Sequence, residues 1–124
     1  LSDHFILVVD DDELNCDFIH QILHGTYLLD FANSGEEAIK KARKSKYDLI
    51  LMDINLGKGL TGLETTEQIR QFKDYETIPI VACTAYAMSG DKEEFKSRGC
   101  SHYISKPFKG NDLISLINSA LNKG

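Results

Sequence analysis

Four large apolar residues in a row, Leu49 to Met52, are followed directly by a carboxylate, Asp53. A short apolar run without alternation predicts a strand that is buried on both faces, as strands of parallel sheets are. In open α/β sheets the ligand crevice lies outside the carboxyl ends of the strands. This run therefore constrains the fold and also marks Asp53 as a candidate site residue.

Other apolar runs of the chain also lead into polar groups. These groups are Asp10 and Asp11 after residues 5–9, Thr84 after residues 80–83, and Lys106 shortly after residues 103–104. If the strands are parallel neighbours, their carboxyl ends meet at one edge of the sheet. The sequence then predicts that carboxylates, a hydroxyl and an ammonium converge around Asp53.

Strand and helix patterns alternate five times along the chain. Strands are predicted at residues 5–10, 27–32, 49–53, 77–83 and 101–104. Such alternation predicts an α/β fold, a doubly wound parallel sheet of five strands with five helices on its two faces. No linker or low-complexity tract interrupts the pattern, so we expect a single domain over residues 1–124.

Helix boundaries are predicted from capping residues. Ser34 with Glu37, and Thr61 with Glu64, form capping boxes that start the second and third helices. The starts of the other three helices are predicted from single capping residues, which are Asp12 for the first helix, Ser89 for the fourth and Asn111 for the fifth. The first helix, residues 13–24, is predicted to pack through Leu14, Phe18, Ile19, Ile22 and Leu23.

Composition limits the classes of partner. The net charge of −5 disfavours direct contact with nucleic acid, because phosphate contacts need a basic surface. No apolar run reaches the roughly 20 residues that span a bilayer, and no signal peptide is recognisable. Cys16, Cys83 and Cys100 are widely spaced, which favours reduced thiols in a cytoplasmic protein. The chain opens on Leu1, as an excised piece of a longer protein would.

The converging residue types suit one chemistry. Asp10, Asp11 and Asp53 repel one another unless a cation lies between them, and Mg2+ prefers such oxygen ligands. Lys106 offers a positive charge to a phosphoryl oxygen, and Thr84 offers a hydroxyl donor. A nucleophile, a divalent metal, an ammonium and a hydroxyl are what phosphoryl transfer requires. The residues thus predict an aspartate that receives a phosphoryl group.

The motifs resemble those of the receiver domain of two-component response regulators over nearly the whole chain. They are Val8-Val9-Asp10-Asp11, Leu51-Met52-Asp53, Thr84-Ala85 and Lys106-Pro107-Phe108. The resemblance implies a flavodoxin-like sheet with strand order 2-1-3-4-5. It also implies that Asp53 accepts the phosphoryl group from a phosphohistidine of a sensor histidine kinase or a histidine phosphotransfer domain.

Further roles follow from the same resemblance. Asp11 is expected to bind Mg2+ directly, Asp10 through water, and Asn55 through its backbone carbonyl. Thr84 and Tyr103 match the switch pair of the family. The face formed by the fourth helix, the fifth strand and the fifth helix is expected to carry the signal. One expected form of output is a dimer that depends on phosphorylation. As a separate domain the chain is expected to catalyse only its own phosphorylation and dephosphorylation.

Position alone suggests that Tyr86, two residues after Thr84, modulates water access to the acyl phosphate. The loop after Asp53 departs from the family pattern, because it has no proline and is longer by one residue. Asp12 is an extra acid beside the pair, expected at the surface or as a helix cap rather than as a ligand.

Alternative functions remain open at this point. A small Mg2+-dependent phosphatase of the haloacid-dehalogenase type also uses an aspartate nucleophile, but its first-strand motif fails at Leu14. A flavin carrier would need a phosphate-binding loop where this chain has acids. An unphosphorylated interaction module is the third alternative. The sequence leaves open whether the chain is a free regulator, part of a transcription factor or part of a hybrid sensor kinase, and residues 10–15 and 85–91 resemble receivers of such kinases.

Overall fold

A computed structural model describes residues 3–85 and 91–122. Within these residues five strands alternate with five helices and one short 3-10 turn. The bounds are β1 Phe5–Val9, α1 Glu13–Leu23, β2 Leu28–Ala32, α2 Gly35–Lys44, β3 Leu49–Asp53, α3 Gly62–Arg70, the 3-10 turn Lys73–Tyr75, β4 Ile80–Thr84, α4 Asp91–Ser97, β5 His102–Ser105 and α5 Gly110–Leu121. None of the helices described is long and apolar enough to cross a membrane.

The five strands form one sheet in the order β2-β1-β3-β4-β5, and all neighbours are parallel. The predicted fold class and strand order are thus confirmed. Val9 pairs with Met52, and Asp53 pairs with Cys83. Because this register aligns the strand ends, the residues that follow β1, β3, β4 and β5 leave the sheet at the same edge.

Two apolar cores lie on the two faces of the sheet. One core packs α2, α3 and α4 against the sheet through residues such as Ala38, Ile69 and Phe95. The other packs α1 and α5 through residues such as Ile19 and Ile117. All of β3 is buried, as its unbroken apolar sequence predicts. The sheet therefore holds the end of β3 rigidly in the middle of the molecule.

The predicted helix starts are confirmed in part. Asp12 caps α1 by accepting from the Leu14 N–H, and Thr61 with Glu64 forms a complete capping box. Ser34 caps α2, but the Glu37 carboxylate accepts from the N–H of Asn33 rather than from that of Ser34. Only half of the predicted box is therefore formed. Ser89, the predicted cap of α4, lies outside the described residues.

The predicted cap of α5 is wrong. The helix begins at Gly110, and Lys109 occupies the cap position without a side-chain hydrogen bond. Asn111 is therefore already inside the first turn. The glycine lets α5 start two residues early and close to α1, because a Cβ at position 110 would lie only 3.3 Å from Ile22.

β3 has the predicted bounds, and the bounds of the other four strands differ by one to three residues from the expected ones. The largest difference is at β4, which begins at Ile80 and not at residue 77, so that Pro79 precedes the strand. The carbonyl of Pro79 still accepts from the Ile50 N–H at 3.1 Å. Proline can accept but cannot donate, so it fits just before a strand of the sheet interior.

The predicted apolar face of α1 is wrong at two positions. Leu14 is 79% exposed and Phe18 is 43% exposed, whereas Ile19 and Leu23 are buried. Successive residues turn by about 100° on an α-helix, so Leu14 and Leu23 lie on opposite sides of α1. A face that wide cannot pack entirely on one sheet, and Leu14 and Phe18 are left at the surface.

Candidate functional site

Four strands bring the predicted site residues to one edge of the sheet. Asp10 follows β1, Asp53 ends β3, Thr84 ends β4, and Lys106 follows β5. Asp10, Asp53 and Thr84 are 2%, 6% and 3% exposed. Buried polar groups of this kind need hydrogen-bonding or charged partners. The arrangement is consistent with the sequence prediction that these residues converge.

Lys106 joins the two buried carboxylates. Its ammonium Nζ lies 3.3 Å from Oδ2 of Asp10 and 3.4 Å from Oδ2 of Asp53. The backbone N–H of Lys106 also donates to the carbonyl of Thr84 at 2.7 Å, which fixes the start of this loop against β4. One positive charge therefore faces two negative charges in a partly buried pocket.

A third carboxylate completes an acidic cluster. One carboxylate oxygen from each of Asp10, Asp11 and Asp53 lies within 4.8 Å of the other two, and Asp11 is exposed. In the part of the chain that is described, no other group of three acidic, histidine or cysteine side chains meets this distance. All donors are oxygens and one side opens to solvent, so the residues fit a hard cation such as Mg2+ that retains several waters.

The backbone after β1 and β3 orients the carboxylates. Oδ1 of Asp10 accepts from the N–H of Asp12 at 2.9 Å, and Oδ1 of Asp53 accepts from the N–H of Asn55 at 3.1 Å. Each bond closes a local turn that points the second oxygen into the pocket. The carbonyl of Asn55 as a metal ligand stays a prediction, since these contacts involve only its N–H.

Asn15 is a site residue that sequence reasoning missed. Its side-chain amide, one turn into α1, donates a short hydrogen bond to Oδ2 of Asp10. The same oxygen faces Lys106, so two donors hold it. The signal was available, because Asn15 lies three residues beyond the Asp12 cap and a residue there can reach back over the helix start.

Burial and the charge of Asp10 raise the pKa of Asp53 from 3.8 to about 6, although Lys106 acts in the opposite direction. Burial alone would lower the pKa of Lys106, but the Asp53 and Asp10 carboxylates outweigh it, and the pKa of Lys106 is raised. Without a further cation, the carboxylates therefore hold more negative charge than one ammonium can balance.

This imbalance gives a testable result for the metal-free protein. The pKa of Asp53 is higher in the folded state, so its contribution to stability is present below about pH 3.8 and is lost as the pH rises through about 6. Asp53→Asn should therefore stabilise the metal-free protein by about 1–3 kcal/mol near neutral pH, and by less at about pH 5. Urea unfolding in the presence of a chelator measures both values.

The control for this result is Asp17→Asn, an exposed aspartate on α1. It should leave the stability within about 0.5 kcal/mol of the wild type at either pH. Added Mg2+ should stabilise the wild type and the control, and should stabilise Asp53→Asn much less. A destabilised Asp53→Asn at neutral pH would contradict the electrostatic description of the site.

The glycine-rich loop after Asp53 packs against the acidic cluster. Gly57 and Gly59 have φ of +76°, which side-chain-bearing residues rarely adopt. A side chain at Gly57 would meet Oδ2 of Asp11 at 2.8 Å. The Leu60 N–H donates to Oε2 of Glu36 on α2 at 3.2 Å. The loop is thus held by α2 and leads into α3 at Gly62.

Of the two predicted switch residues, Thr84 ends β4 at this edge of the sheet, whereas Tyr103 lies within β5. Tyr103 pairs with Ala82 in the sheet, is half-buried and packs against the core on the α4 side. Lys92 Nζ lies 4.7 Å above its ring. A movement of Tyr103 coupled to Thr84 stays a prediction. Tyr86, predicted to modulate water access, lies outside the described residues.

An apolar groove opens beside Lys106. Its volume is about 430 Å³, and the residues that line it are Asp12, Asn15, Phe18, Ala85, Lys106, Pro107 and Phe108. The rings of Phe18 and Phe108 lie 5.9 Å apart and form its apolar wall. Leu14, one turn before Phe18 on α1, extends the exposed apolar surface. We refer to Leu14, Phe18 and Phe108 as the α1 patch.

Comparison with known proteins agrees with this geometry. The family model described as "Response regulator receiver domain" matches residues 6–118. Among curated relatives, "Polar-differentiation response regulator DivK" from Brucella ovis and that from Brucella abortus are each 38% identical over 117 residues, which cover 94% of this chain and 94% of theirs.

Solved structures are similar over nearly the full length. Chemotaxis protein CheY4 of Vibrio cholerae has a TM-score of 0.92 and 28% identity, and the match covers 97% of this chain and 100% of that chain. The receiver domain of sensor histidine kinase PA1611 from Pseudomonas aeruginosa has a TM-score of 0.90 and 32% identity, with 98% and 100% covered. That structure is described with a magnesium ion coordinated in its active site cleft.

Proposed function

Because the chain belongs to the family of response regulator receiver domains, we propose that it receives a phosphoryl group on Asp53 from a phosphohistidine. The donor is a sensor histidine kinase or a histidine phosphotransfer domain. The observation that carries this proposal is the single ammonium of Lys106, which lies within 3.4 Å of a carboxylate oxygen of both Asp10 and Asp53. This arrangement presents an ionised nucleophile beside a positive charge that can bind a phosphoryl oxygen.

The transfer needs little proton chemistry from the protein. An oxygen of Asp53 forms a bond to phosphorus while the bond from phosphorus to the histidine nitrogen breaks, and the departing nitrogen keeps the electron pair of that bond. Oδ1 of Asp53 is held by the Asn55 N–H, which leaves Oδ2 towards Lys106 and the pocket. Catalysis is then positioning together with neutralisation of the phosphoryl charge.

The acidic cluster supplies the remaining charge balance. Asp10, Asp11 and Asp53 are the side chains that would hold Mg2+, with the Asn55 carbonyl as a further ligand. A bound Mg2+ neutralises charge on the phosphoryl oxygens and relieves the repulsion between the carboxylates. Lys106 and the hydroxyl of Thr84 would hold oxygens of the phosphoryl group. As a separate domain the chain catalyses only its own phosphorylation and dephosphorylation.

The proposed output is a change in packing around Tyr103. The hydroxyl of Thr84 bonds to the phosphoryl group, and the ring of Tyr103 moves into the space that this leaves. Support comes from the burial of Thr84 and the half-buried position of Tyr103. The face of α4, β5 and α5 then carries the signal as a shift between two populations.

Acetyl phosphate tests the acceptor chemistry without a partner protein. In the presence of Mg2+, intact-protein mass spectrometry should detect one added phosphoryl group on the wild type. Asp53→Asn, and a chelator added to the wild type, should each abolish the addition, whereas Asp17→Asn on the exposed side of α1 should keep it. Addition of a phosphoryl group to Asp53→Asn at the wild-type rate would refute the proposal.

The same reaction separates the receiver from a phosphatase, which also uses an aspartate nucleophile. A receiver adds one phosphoryl group and hydrolyses it slowly, so few phosphate ions are released per protein. Many turnovers on a small phosphate ester would favour the phosphatase instead. The exposed α1 patch favours the receiver, because a phosphatase specific for small esters has no need of an apolar surface beside its lysine.

The α1 patch is proposed to contact the phosphohistidine donor. The groove between Phe18 and Phe108 shares Lys106 with the pocket, so a protein that brings a phosphohistidine to Asp53 has to lie against it. Leu14 adds exposed apolar area at the rim. Apolar surface of this kind is enriched where proteins bind one another.

Substitution of the patch should separate the two routes of phosphorylation. Leu14→Ser and Phe18→Ser are each expected to slow transfer from a phosphorylated histidine donor by about 10-fold, because an apolar contact of 1–2 kcal/mol is lost. Phosphorylation by acetyl phosphate should stay within about twofold of the wild type. The matched control is Leu28→Ser, since Leu28 is 47% exposed but lies at the opposite edge of the sheet. If Leu28→Ser slowed transfer from the histidine donor as much as Leu14→Ser and Phe18→Ser do, the α1 patch would not be the contact for the donor.

A further inference from the structure

Two exposed histidines lie one turn apart at the end of α1, with His20 in its last turn and His24 at the position that caps it. Their ring centroids are 4.9 Å apart, and the ring planes differ by only 7°. Side chains four residues apart on an α-helix lie on the same face. The two imidazoles therefore form a stacked pair at the surface.

The tautomer of His24 is set by its hydrogen bond. Nδ1 of His24 lies 2.9 Å from the backbone carbonyl oxygen of His20. A carbonyl oxygen can only accept, so Nδ1 carries the proton and donates. In the neutral ring, Nε2 then bears the lone pair and faces away from the helix. Histidines that bind metal ions are commonly held in this way through their other nitrogen.

The ring of His20 is also supported from one side. The ring of Phe31, on β2, lies 6.1 Å from that of His20 at an angle of 46°. Phe31 itself packs against the core shared by α1 and α5. The ring of His20 therefore has Phe31 on one side, while the carbonyl of His20 orients the ring of His24. Part of the ordering that a metal site requires is already present.

The histidine pair is separate from the acidic cluster in place and in chemistry. At 1.5 Å per residue, His20 and His24 lie about 12–18 Å along the helix from the Asp12 cap. The acidic cluster offers only oxygens, which suit Mg2+, whereas imidazole nitrogens suit ions of the Zn2+, Ni2+ and Cu2+ class. The two places should therefore select different ions.

We propose that His20 and His24 form a second cation site, which binds a divalent transition-metal ion through two imidazole nitrogens. Both rings are exposed, so they can tilt towards one ion at the usual metal–nitrogen distance of about 2.0–2.1 Å. Two histidines at this helical spacing supply the same pair of ligands in zinc proteases. Water molecules occupy the other coordination positions of the ion. The bound ion links His20 to His24 across the last turn of α1.

Nickel titration followed by NMR tests this site on the whole chain. Ni2+ is added to the labelled protein with Mg2+ in excess, so that the acidic cluster is already occupied by its preferred ion. Paramagnetic broadening should be centred on the amides of residues 20–24. His20→Gln and His24→Gln should each weaken Ni2+ binding by more than about 10-fold, because one nitrogen cannot chelate. The spectra of both variants also show whether they are folded.

His4→Gln and His102→Gln serve as matched controls, because each removes one histidine outside α1. Both should keep the wild-type affinity for Ni2+. Broadening centred on Asp10, Asp11 and Asp53 would overturn the proposal, and so would unchanged binding in either His20→Gln or His24→Gln. Since phosphorylation is not measured, the result does not depend on the proposed function.

Discussion

Replacement of Lys106 by methionine should slow phosphorylation by acetyl phosphate by about 100-fold or more. Methionine keeps the apolar stem but removes the ammonium that lies 3.3 Å from Asp10 and 3.4 Å from Asp53. Loss of one preorganised group that stabilises charge in a transition state commonly reduces the rate by about 10²–10³-fold. The rate is measured by intact-protein mass spectrometry at saturating Mg2+.

Lys109→Met is the control for this experiment. Lys109 is exposed and precedes α5 three residues after Lys106, so its replacement removes the same charge from the same segment. Its phosphorylation rate should stay within about twofold of the wild type. A wild-type rate in Lys106→Met would mean that the ammonium only balances the buried carboxylates. A similar loss in both variants would point to a long-range effect of net charge.

Gly62→Ala should destabilise the protein strongly. A Cβ at this position would lie 2.2 Å from the carbonyl oxygen of Asp53 and 2.7 Å from the Cα of Ile54. Both atoms belong to the backbone, so neither can turn aside as a side chain can. Moving the end of β3 or the start of α3 should decrease the free energy of unfolding by about 3 kcal/mol. Urea denaturation with Mg2+ absent measures this loss.

Gly25→Ala is the matched control, since a Cβ at Gly25 meets nothing within 4 Å. Its free energy of unfolding should stay within about 0.5 kcal/mol of the wild type. Because the clash involves the carbonyl of Asp53, the proposed acceptor, the folded fraction of Gly62→Ala should also be phosphorylated more slowly. If Gly62→Ala were as stable as Gly25→Ala, the close approach of α3 to β3 would be wrong.

The elements that the sequence predicted best are those determined by local patterns. The apolar run before Asp53 is β3 and is wholly buried, and the Thr61–Glu64 box starts α3. Such features depend on a few neighbouring residues, so one sequence is enough to identify them. The sheet edge that gathers Asp10 and Lys106 follows from parallel strands, whose carboxyl ends must lie together.

Features that depend on packing between elements were not predictable in this way. The exposure of Leu14 depends on how α1 is rotated on the sheet, and an apolar pattern spanning half of the helix does not determine that rotation. The start of α5 at Gly110 depends on its contact with Ile22 of α1. Asn15 was missed because its role requires the position of Asp10 in three dimensions.

The central claim is that Asp53, and no other carboxylate of the cluster, forms the acyl phosphate. Reduction with borohydride converts a phosphorylated aspartate into homoserine, so peptide mass spectrometry can locate the acceptor after treatment with acetyl phosphate and Mg2+. We predict homoserine at position 53 and unmodified aspartate at positions 10 and 11. Homoserine at Asp10 or Asp11, with position 53 unchanged, would contradict the account.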